Sequence, residues 1–175
     1  MTHAPPEDLD RRKARTRQAI TGALTRLIFE RRYNAIRTAD LIEAAGVGRS
    51  TFYEHFRSKD DVLVAVIDPL FTPLADAAVG RGGVVGVQAI LAHIWDQRAY
   101  ARQLFEPPLA ARLHRKLAAM IEVRLDPAGG RVPAGLIATA CAAATLATLR
   151  AWLAGETPCA APDLAHHLVG TKPRA

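Results

Sequence analysis

Apolar residues recur along this chain at spacings of three and four, which is the period of one face of an α-helix. The clearest stripes are Ile20, Ala23, Leu24, Leu27 and Ile28, then Leu63, Val64, Val66 and Ile67, and later Leu109, Leu113, Leu117, Met120 and Ile121. The sequence has no stretch of strict apolar and polar alternation and no Asn-Gly hairpin turn. The pattern therefore predicts an all-α fold.

The first residues of the chain precede these stripes. Residues 1–10 hold two prolines and three acidic residues without periodicity, which predicts a disordered arm. The basic run from Arg11 to Arg17 follows. It fits either the solvated start of a helix or an arm that reaches into a DNA minor groove.

The segment from Thr38 to Lys59 has the pattern of two short helices joined by a tight turn. Thr38 is a suitable N-cap for the first of them, and Asp40 places a negative charge in its first turn. Gly46 is suited to end this helix in the left-handed conformation. The segment therefore predicts two helices that meet at an angle.

The second helix of this pair has an inner and an outer side. Gly48 is suited to cap it, and Phe52 and Phe56, four residues apart, are predicted to face inward. The outward or start-facing positions are Arg49, Ser50, Thr51, Tyr53 and His55. This arrangement is typical of a helix-turn-helix, whose second helix enters the major groove with its N-terminus first.

Residues 45–59, AGVGRSTFYEHFRSK, resemble the signature of the TetR family of one-component transcriptional regulators, and the resemblance extends from Arg15 to Leu63. It implies an N-terminal three-helix DNA-binding domain, followed by a helical domain that binds a ligand and dimerises through its last two long helices. Gly48 departs from the pattern, because the family often has a serine there. Any phosphate contact at this position would have to come from a backbone N–H.

The resemblance also assigns DNA-contacting roles by position. It implies phosphate binding by Thr38 and Tyr53, and contact with base edges or phosphate by Arg49, Ser50 and Thr51. It implies that His55 and Lys59 hold the DNA backbone. Double-stranded DNA is therefore the expected partner.

The positive charge of the chain is concentrated on the same region. The protein has 175 residues and a net charge of +6. Residues 11–59 contain 12 Lys and Arg against 4 Asp and Glu, whereas the remaining residues contain 11 against 13. A phosphate backbone attracts such a positive field, although a general abundance of arginine would give a similar count.

A fourth helix is predicted to begin at the capping box Ser58-Lys59-Asp60-Asp61. Its apolar face continues to Leu74, and Pro69 and Pro73 are expected to kink or split it, because each proline removes an intrahelical hydrogen bond. We place the domain boundary in this helix. A helix-turn-helix domain over residues 11–59 would then precede a helical domain over residues 60–175.

The segment from Val132 to Thr157 has Arg150 as its only charge before Glu156, which predicts a helix buried on all sides. Its proline, glycine, threonine and alanine content makes a membrane span unexpected despite its length. We expect one face to pack on its own domain and the small-residue face on a second copy. With a last helix around Asp163–Val169, this would form a two-fold four-helix interface. The candidate interface residues are Ala140, Ala144, Thr148 and Trp152.

A pocket for a small apolar effector is expected mainly because the family resemblance implies one. The residues between Leu91 and Met120 supply apolar and aromatic side chains for a cavity between helices, with a few polar anchors. The candidate ligand-binding residues are His93, Trp95, Gln97, Tyr100, Gln103, His114 and Leu117. Each of them alone also fits a plain core or surface role.

Catalytic chemistry is not indicated by any motif. The sequence has no glycine-rich phosphate loop, no H-E-x-x-H and no G-x-S-x-G, so we expect no catalytic residues and no cofactor. The histidines outside the recognition segment, His93, His114, His166 and His167, are expected to be solvated or hydrogen-bonded rather than bound to a metal. Cys141 and Cys159 lack metal-ligand spacing. With no apolar signal segment, a cytoplasmic location with reduced thiols is expected.

Two functions fit these observations. The first is a homodimeric transcriptional repressor that binds a palindromic operator and is released by a small-molecule effector. The alternative is a constitutive DNA-binding architectural or partner-recruiting protein, whose C-terminal domain only dimerises. They differ in whether a ligand changes the affinity for DNA.

Overall fold

The computed structural model describes residues 6–125 and 131–170, with side chains from Asp10 onwards. These residues form α-helices and one 3-10 turn, with no strand among them, which confirms the all-α prediction. The helices are α1 Pro6–Glu30, α2 Thr38–Ala45, α3 Arg49–His55, α4 Lys59–Ala78, α5 Val84–Asp96, α6 Arg98–Leu104, α7 Leu109–Glu122, α8 Ala134–Ala154 and α9 Ala161–Gly170, and the 3-10 turn is Tyr33–Ala35.

The chain divides into two compact units between Ile67 and Asp68, inside α4. In the first unit, the predicted apolar stripe of α1 is buried, and Ile20, Ala23 and Leu24 have no exposed surface. The side chains of Leu41 on α2 and Phe52 on α3 are also fully buried. The three helices therefore share one small apolar core.

The first helix begins earlier than the sequence predicted. Residues 1–10 were expected to be a disordered arm, but α1 starts at Pro6 and includes residues 6–10. Proline is favoured at the first position of a helix, and acidic residues in the first turn interact well with the helix dipole. Pro6, Glu7 and Asp8 provide both signals. Residues 1–5 lie outside the described part.

The fourth helix is not split by its prolines. α4 is one helix from Lys59 to Ala78 with Pro69 and Pro73 inside it, so the alternative of two separate helices is wrong. Its predicted cap is nearly as expected. The backbone N–H of Asp61 donates to Ser58 Oγ at 3.2 Å, and the Asp61 carboxylate accepts from the N–H of Arg57 at 3.0 Å.

The second unit is built around two pairs of packed helices, α7 with α8 and α5 with α9. The predicted stripe of α7 is confirmed, since Leu109, Leu113, Leu117 and Ile121 are buried. α7 ends at Glu122, and residues 126–130 lie outside the described part. Two ion pairs reach the part of α4 that belongs to this unit, one from Lys116 on α7 to Asp68 at 2.5 Å and one from Arg124, two residues beyond the end of α7, to Asp76 at 2.6 Å.

The alanine-rich helix α8 has one buried and one exposed face in the single chain. It was expected to be buried on all sides, but within this single chain only one face is buried, by Ala138, Ala142, Leu146, Leu149, Trp152 and Leu153. The opposite face exposes Leu136, Ala140, Ala143, Ala144, Ala147, Arg150 and Ala154. The sequence assigned this small-residue face to a second copy, and that part stays a prediction because the structure describes a single chain.

α8 is also the one helix of the described residues that is long and apolar enough to span a membrane. A core helix of a soluble protein passes the same test, and the inner face of α8 packs on α7.

Partial burial raises the pKa of the Cys141 thiol on α8, so this side chain is neutral at pH 7. Arg150 is the only charged side chain within α8, and it lies on the exposed face of this helix.

Candidate nucleic-acid interface

The turn between α2 and α3 is set by Gly46. This residue has φ 63° and ψ 33°, in the left-handed region that glycine adopts without strain. Its N–H donates to the carbonyl of Glu43 at 3.0 Å, and the N–H of Val47 donates to that of Ile42 at 3.3 Å. These bonds satisfy carbonyls at the end of α2 and turn the chain towards α3. The predicted helix-turn-helix is present.

The start of α2 lies one residue earlier than predicted. Thr38 was expected to be the N-cap, but the cap is Arg37, whose backbone N–H donates to the Asp40 carboxylate at 2.8 Å. Thr38 is then the first helical residue. Among the described residues its hydroxyl has no hydrogen-bond partner, and it is half-buried at the helix start. A hydroxyl so placed is able to donate to a phosphate.

The first turn of α3 carries the polar residues that the sequence selected. Gly48 is the N-cap, Arg49 and Ser50 are exposed, and Thr51 is half-buried. A Cβ on Gly48 would lie 3.6 Å from Thr51 Oγ1 and 4.0 Å from Ser50 Oγ, so both hydroxyls gather beside the start of this helix. The structure thus brings one guanidinium and two hydroxyls together at the end of α3 that would enter a groove.

The inner side of α3 holds this outer side in place. Phe52 is fully buried, Phe56 is 4% exposed, and their ring centroids are 6.2 Å apart, as predicted from their spacing. Tyr53 is 47% exposed and packs edge-on against Phe52 at 5.4 Å. The guanidinium of Arg49 lies 5.8 Å from the Tyr53 ring centroid, which limits its directions. His55 is half-buried in the last turn.

Lys59 has a role that the sequence did not reveal. Its ammonium donates to the backbone carbonyls of Tyr33 at 2.8 Å and Ile36 at 2.6 Å, and it lies 4.3 Å from the Tyr33 ring centroid. The Tyr33 hydroxyl donates in turn to the Asp60 carboxylate. Lys59 therefore joins the start of α4 to the connection between α1 and α2, in addition to any phosphate contact.

Three arginines also make contacts inside the first unit that the sequence did not predict. Arg26 donates to the carbonyl of Ala44 at 3.0 Å, near the end of α2. Arg31 lies 3.7 Å from the Asp40 carboxylate. The guanidinium of Arg17 lies 4.5 Å from the ring centroid of Phe56. The partners of these arginines are 9 to 39 residues away along the chain, so helical periodicity contains no signal for them.

The candidate ligand residues in the second unit differ widely in exposure. His93 and Gln103 are exposed, Trp95 and Tyr100 are each 37% exposed, and Leu117 is fully buried. Gln97 is half-buried, and His114 Nε2 is 3.1 Å from the carbonyl of Thr139. These seven residues do not all face one enclosed cavity. The effector site remains a prediction.

Trp95, one of these candidate ligand residues, packs against other side chains of the second unit. The rings of Trp95 and Trp152 are 4.7 Å apart, and the guanidinium of Arg98 lies 5.1 Å from the Trp95 ring. The indole N–H of Trp152 donates to the carbonyl of Cys159 at 2.8 Å. Trp152 is 4% exposed, so it lies on the inner side of α8, away from Ala140 and Ala144. The described residues contain no cluster of three or more metal-binding side chains.

Comparisons with known proteins agree with this geometry. The family model described as bacterial regulatory proteins, tetR family, matches residues 20–66. The HTH-type transcriptional regulator EthR of Mycolicibacterium smegmatis is 42% identical over 52 residues, which are 30% of this chain and 24% of that protein. The uncharacterized HTH-type transcriptional regulator YxbF of Bacillus subtilis is 32% identical over 62 residues, which are 35% of this chain and 16% of that protein. The chain thus matches a quarter or less of these relatives' own length.

Solved structures resemble the chain over most of its length. A TetR transcriptional regulator from Streptococcus agalactiae has a TM-score of 0.60 and 26% identity, covering 95% of this chain and 98% of its own. The dihydroxyacetone kinase operon activator DhaS has a TM-score of 0.54 and 18% identity, covering 89% and 92%. The second likeness concerns the fold alone.

Lys59→Met tests whether this lysine stabilises the fold. Two carbonyls would lose a charged donor, so we expect the free energy of unfolding to fall by roughly 1–3 kcal/mol in urea denaturation. Arg57→Met removes the same charge from an exposed neighbour and should change it by less than about 0.5 kcal/mol. Equal stability of the two variants would contradict an internal role for Lys59.

Proposed function

The chain belongs to the TetR family of transcriptional regulators, and on that premise we propose that it is a homodimeric, cytoplasmic repressor that binds a palindromic operator and is released by a small apolar effector. The observation that carries the DNA-binding part is the division of α3 into two sides. Phe52 and Phe56 fix the helix from inside, while Arg49 and Ser50 are exposed at its start.

The proposed DNA contacts follow from this division. Thr38, Tyr53 and His55 are proposed to bind phosphates, with Lys59 as a further candidate, because each has a polar group on or beside the helix-turn-helix. Such contacts position the protein without reading sequence. Arg49 is the proposed base reader, since a guanidinium is able to pair with O6 and N7 of one guanine. Ser50 and Thr51 supplement it at the same end of α3.

Dimerisation is proposed to use the outer face of α8. Ala140, Ala144 and Ala147 form an exposed strip of small side chains, with the half-buried Thr148 beside it. Such a strip lets two helices approach closely, and exposed apolar surface of this kind is costly in a lone chain. Because α9 follows α8 closely, two copies of this pair would make the four-helix interface of a two-fold dimer.

Two-fold symmetry constrains the operator. The recognition helices of a symmetric dimer would face successive major grooves, so the half-sites should be inverted repeats about 34–36 Å apart or a multiple of that distance. Occupancy of such a site near a promoter blocks transcription without any further contact. A DNA-reading unit and a dimerising unit are sufficient for repression.

Effector release is proposed to act through α4, because this helix contributes residues to both units. Pro69 and Pro73 each remove one backbone hydrogen bond within it, which makes this part of the helix the easiest to bend. A ligand that prefers one shape of α4 would shift the population of DNA-competent dimers. The constitutive alternative requires no such preference.

Binding-site selection with Arg49→Ala tests the proposed function. Wild-type protein should enrich an inverted repeat from random duplexes. The variant should lose the preference at one base pair of each half-site, at a cost of roughly 1–3 kcal/mol. Arg57→Ala removes the same charge beyond α3 and should leave the selected sequence unchanged. Failure of the wild type to enrich any duplex would refute the function, and an unchanged logo with Arg49→Ala would exclude this residue as a reader.

Ala144→Glu tests the interface. Position 144 is exposed in the single chain, so the variant should fold, but a dimer would bury an unpaired carboxylate at a cost of several kcal/mol. Light scattering should then report a monomer, while circular dichroism reports unchanged helicity. Ala111→Glu makes the same change on an exposed position of α7 and should stay dimeric. A folded dimer of Ala144→Glu would contradict the α8 interface.

Effector response is tested with small apolar compounds that raise the thermal unfolding temperature of the protein. At least one such compound should weaken binding to the selected operator by about 5- to 150-fold, the range of a typical coupling free energy. It should also change hydrogen exchange within residues 59–71. Compounds that bind while leaving operator affinity unaltered would favour the constitutive alternative.

A further inference from the structure

The part of α1 from Asp10 to Ala19 is helical but has no buried side chain. From Asp10 onwards, Ile20 is the first buried residue of α1, and every residue from Asp10 to Ala19 is exposed except Thr16, which is half-buried. We refer to residues 10–19 as the basic extension. At 1.5 Å per residue it is about 15 Å long. The three-helix core of the first unit starts only after it.

The charge of the basic extension is strongly positive. It contains five basic residues, Arg11, Arg12, Lys13, Arg15 and Arg17, and one acidic residue, Asp10. Most helices in proteins are stabilised by burying an apolar face, and this segment has no such face to bury. Its composition instead suits a partner that offers many negative charges along a line.

The position of the basic extension is fixed by its last basic residue. The guanidinium of Arg17 lies over the Phe56 ring, and Phe56 directly follows α3 and packs near Phe52. Lys13 precedes Arg17 by four residues, so the two side chains leave α1 on the same side. The C-terminal end of the basic extension therefore lies beside the end of α3, the helix that carries Arg49, within the same compact unit.

We propose that the basic extension binds the phosphate backbone of the DNA that flanks the bases read by α3. Duplex DNA carries one charge per about 1.7 Å of its axis, so a helix of this length spans several phosphates. Arg12 and Arg15, three residues apart, share one side of α1, and Lys13 lies on the side of Arg17. This proposal rests on the proposed DNA-binding function. It adds a contact outside the helix-turn-helix that strengthens binding to any sequence.

The helical state of the basic extension decides between its two sequence-based interpretations. An α-helix with its side chains is about 10–12 Å wide, whereas the minor groove of B-DNA is about 6 Å wide. A helix therefore does not fit into the minor groove as an extended arm would. Contact with the phosphates along the outside of the duplex remains. The basic extension should thus supply affinity and salt dependence but no base preference.

The test compares two variants that lose the same charge. The first, Arg12→Gln/Lys13→Gln/Arg15→Gln, neutralises the basic extension with a residue that keeps high helix propensity. The control, Arg81→Gln/Arg115→Gln/Arg131→Gln, neutralises three exposed arginines of the second unit. Both are titrated against a 40-base-pair duplex of mixed sequence at several NaCl concentrations, with fluorescence anisotropy as the readout. Circular dichroism checks that each variant is folded.

The expected result is a change in the slope of log K against log salt. Each phosphate contact contributes about 0.9 to the slope, so the first variant should lose up to about 2.7 per protomer, whereas the control should lose little. Lys13→Gln alone should lose about 0.9. In binding-site selection, the first variant should enrich the same sequence as wild type, because no base contact is removed.

Four outcomes would overturn the proposal. Equal slopes for the first variant and the control would mean that only net charge matters. An altered selected sequence would mean that the basic extension reads bases. If wild-type protein shows no salt-dependent binding to the duplex at all, the proposed function fails together with this inference. If wild-type protein shows salt-dependent binding and the first variant has the same slope as wild type, the inference alone fails.

Discussion

The left-handed conformation of Gly46 is the constraint on which the DNA-reading geometry depends. With φ 63°, this residue ends α2 after two turns and lets the chain begin α3 three residues later, at Arg49. A side chain at this position would be strained by about 1 kcal/mol even though the surrounding space is open. The burial of Phe52 then fixes the rotation of α3, and that rotation decides which side chains face outward.

The sequence was sufficient wherever a local rule decided the structure. The αL turn at Gly46, the inward side of Phe52 and Phe56, and the stripe of α7 all depend on residues a few positions apart, and all are confirmed. The early start of α1 was missed although Pro6 provided a local signal. The composition of residues 1–10 favours disorder, but the helix-start signals at Pro6, Glu7 and Asp8 outweigh it.

The sequence was insufficient wherever the partner is distant along the chain or in another molecule. The bonds of Lys59 to the carbonyls of Tyr33 and Ile36 span 26 and 23 residues, so periodicity contains no trace of them. For α8, a composition that is apolar or small on all sides reports burial but does not state what covers each face. Only the structure separates the face that meets α7 from the face left exposed.

Two ion pairs connect α4 with α7 and with the turn that directly follows α7. Asp68 and Asp76 are eight residues apart, and so are Lys116 on α7 and Arg124 two residues beyond its end, so the two chain segments run in the same direction. Partly exposed pairs of this kind add only about 0–1 kcal/mol each to stability. A shift of either helix by one turn, about 5.4 Å, would separate both pairs at once. The two pairs therefore favour one axial alignment of the two segments, because sliding would break both pairs together.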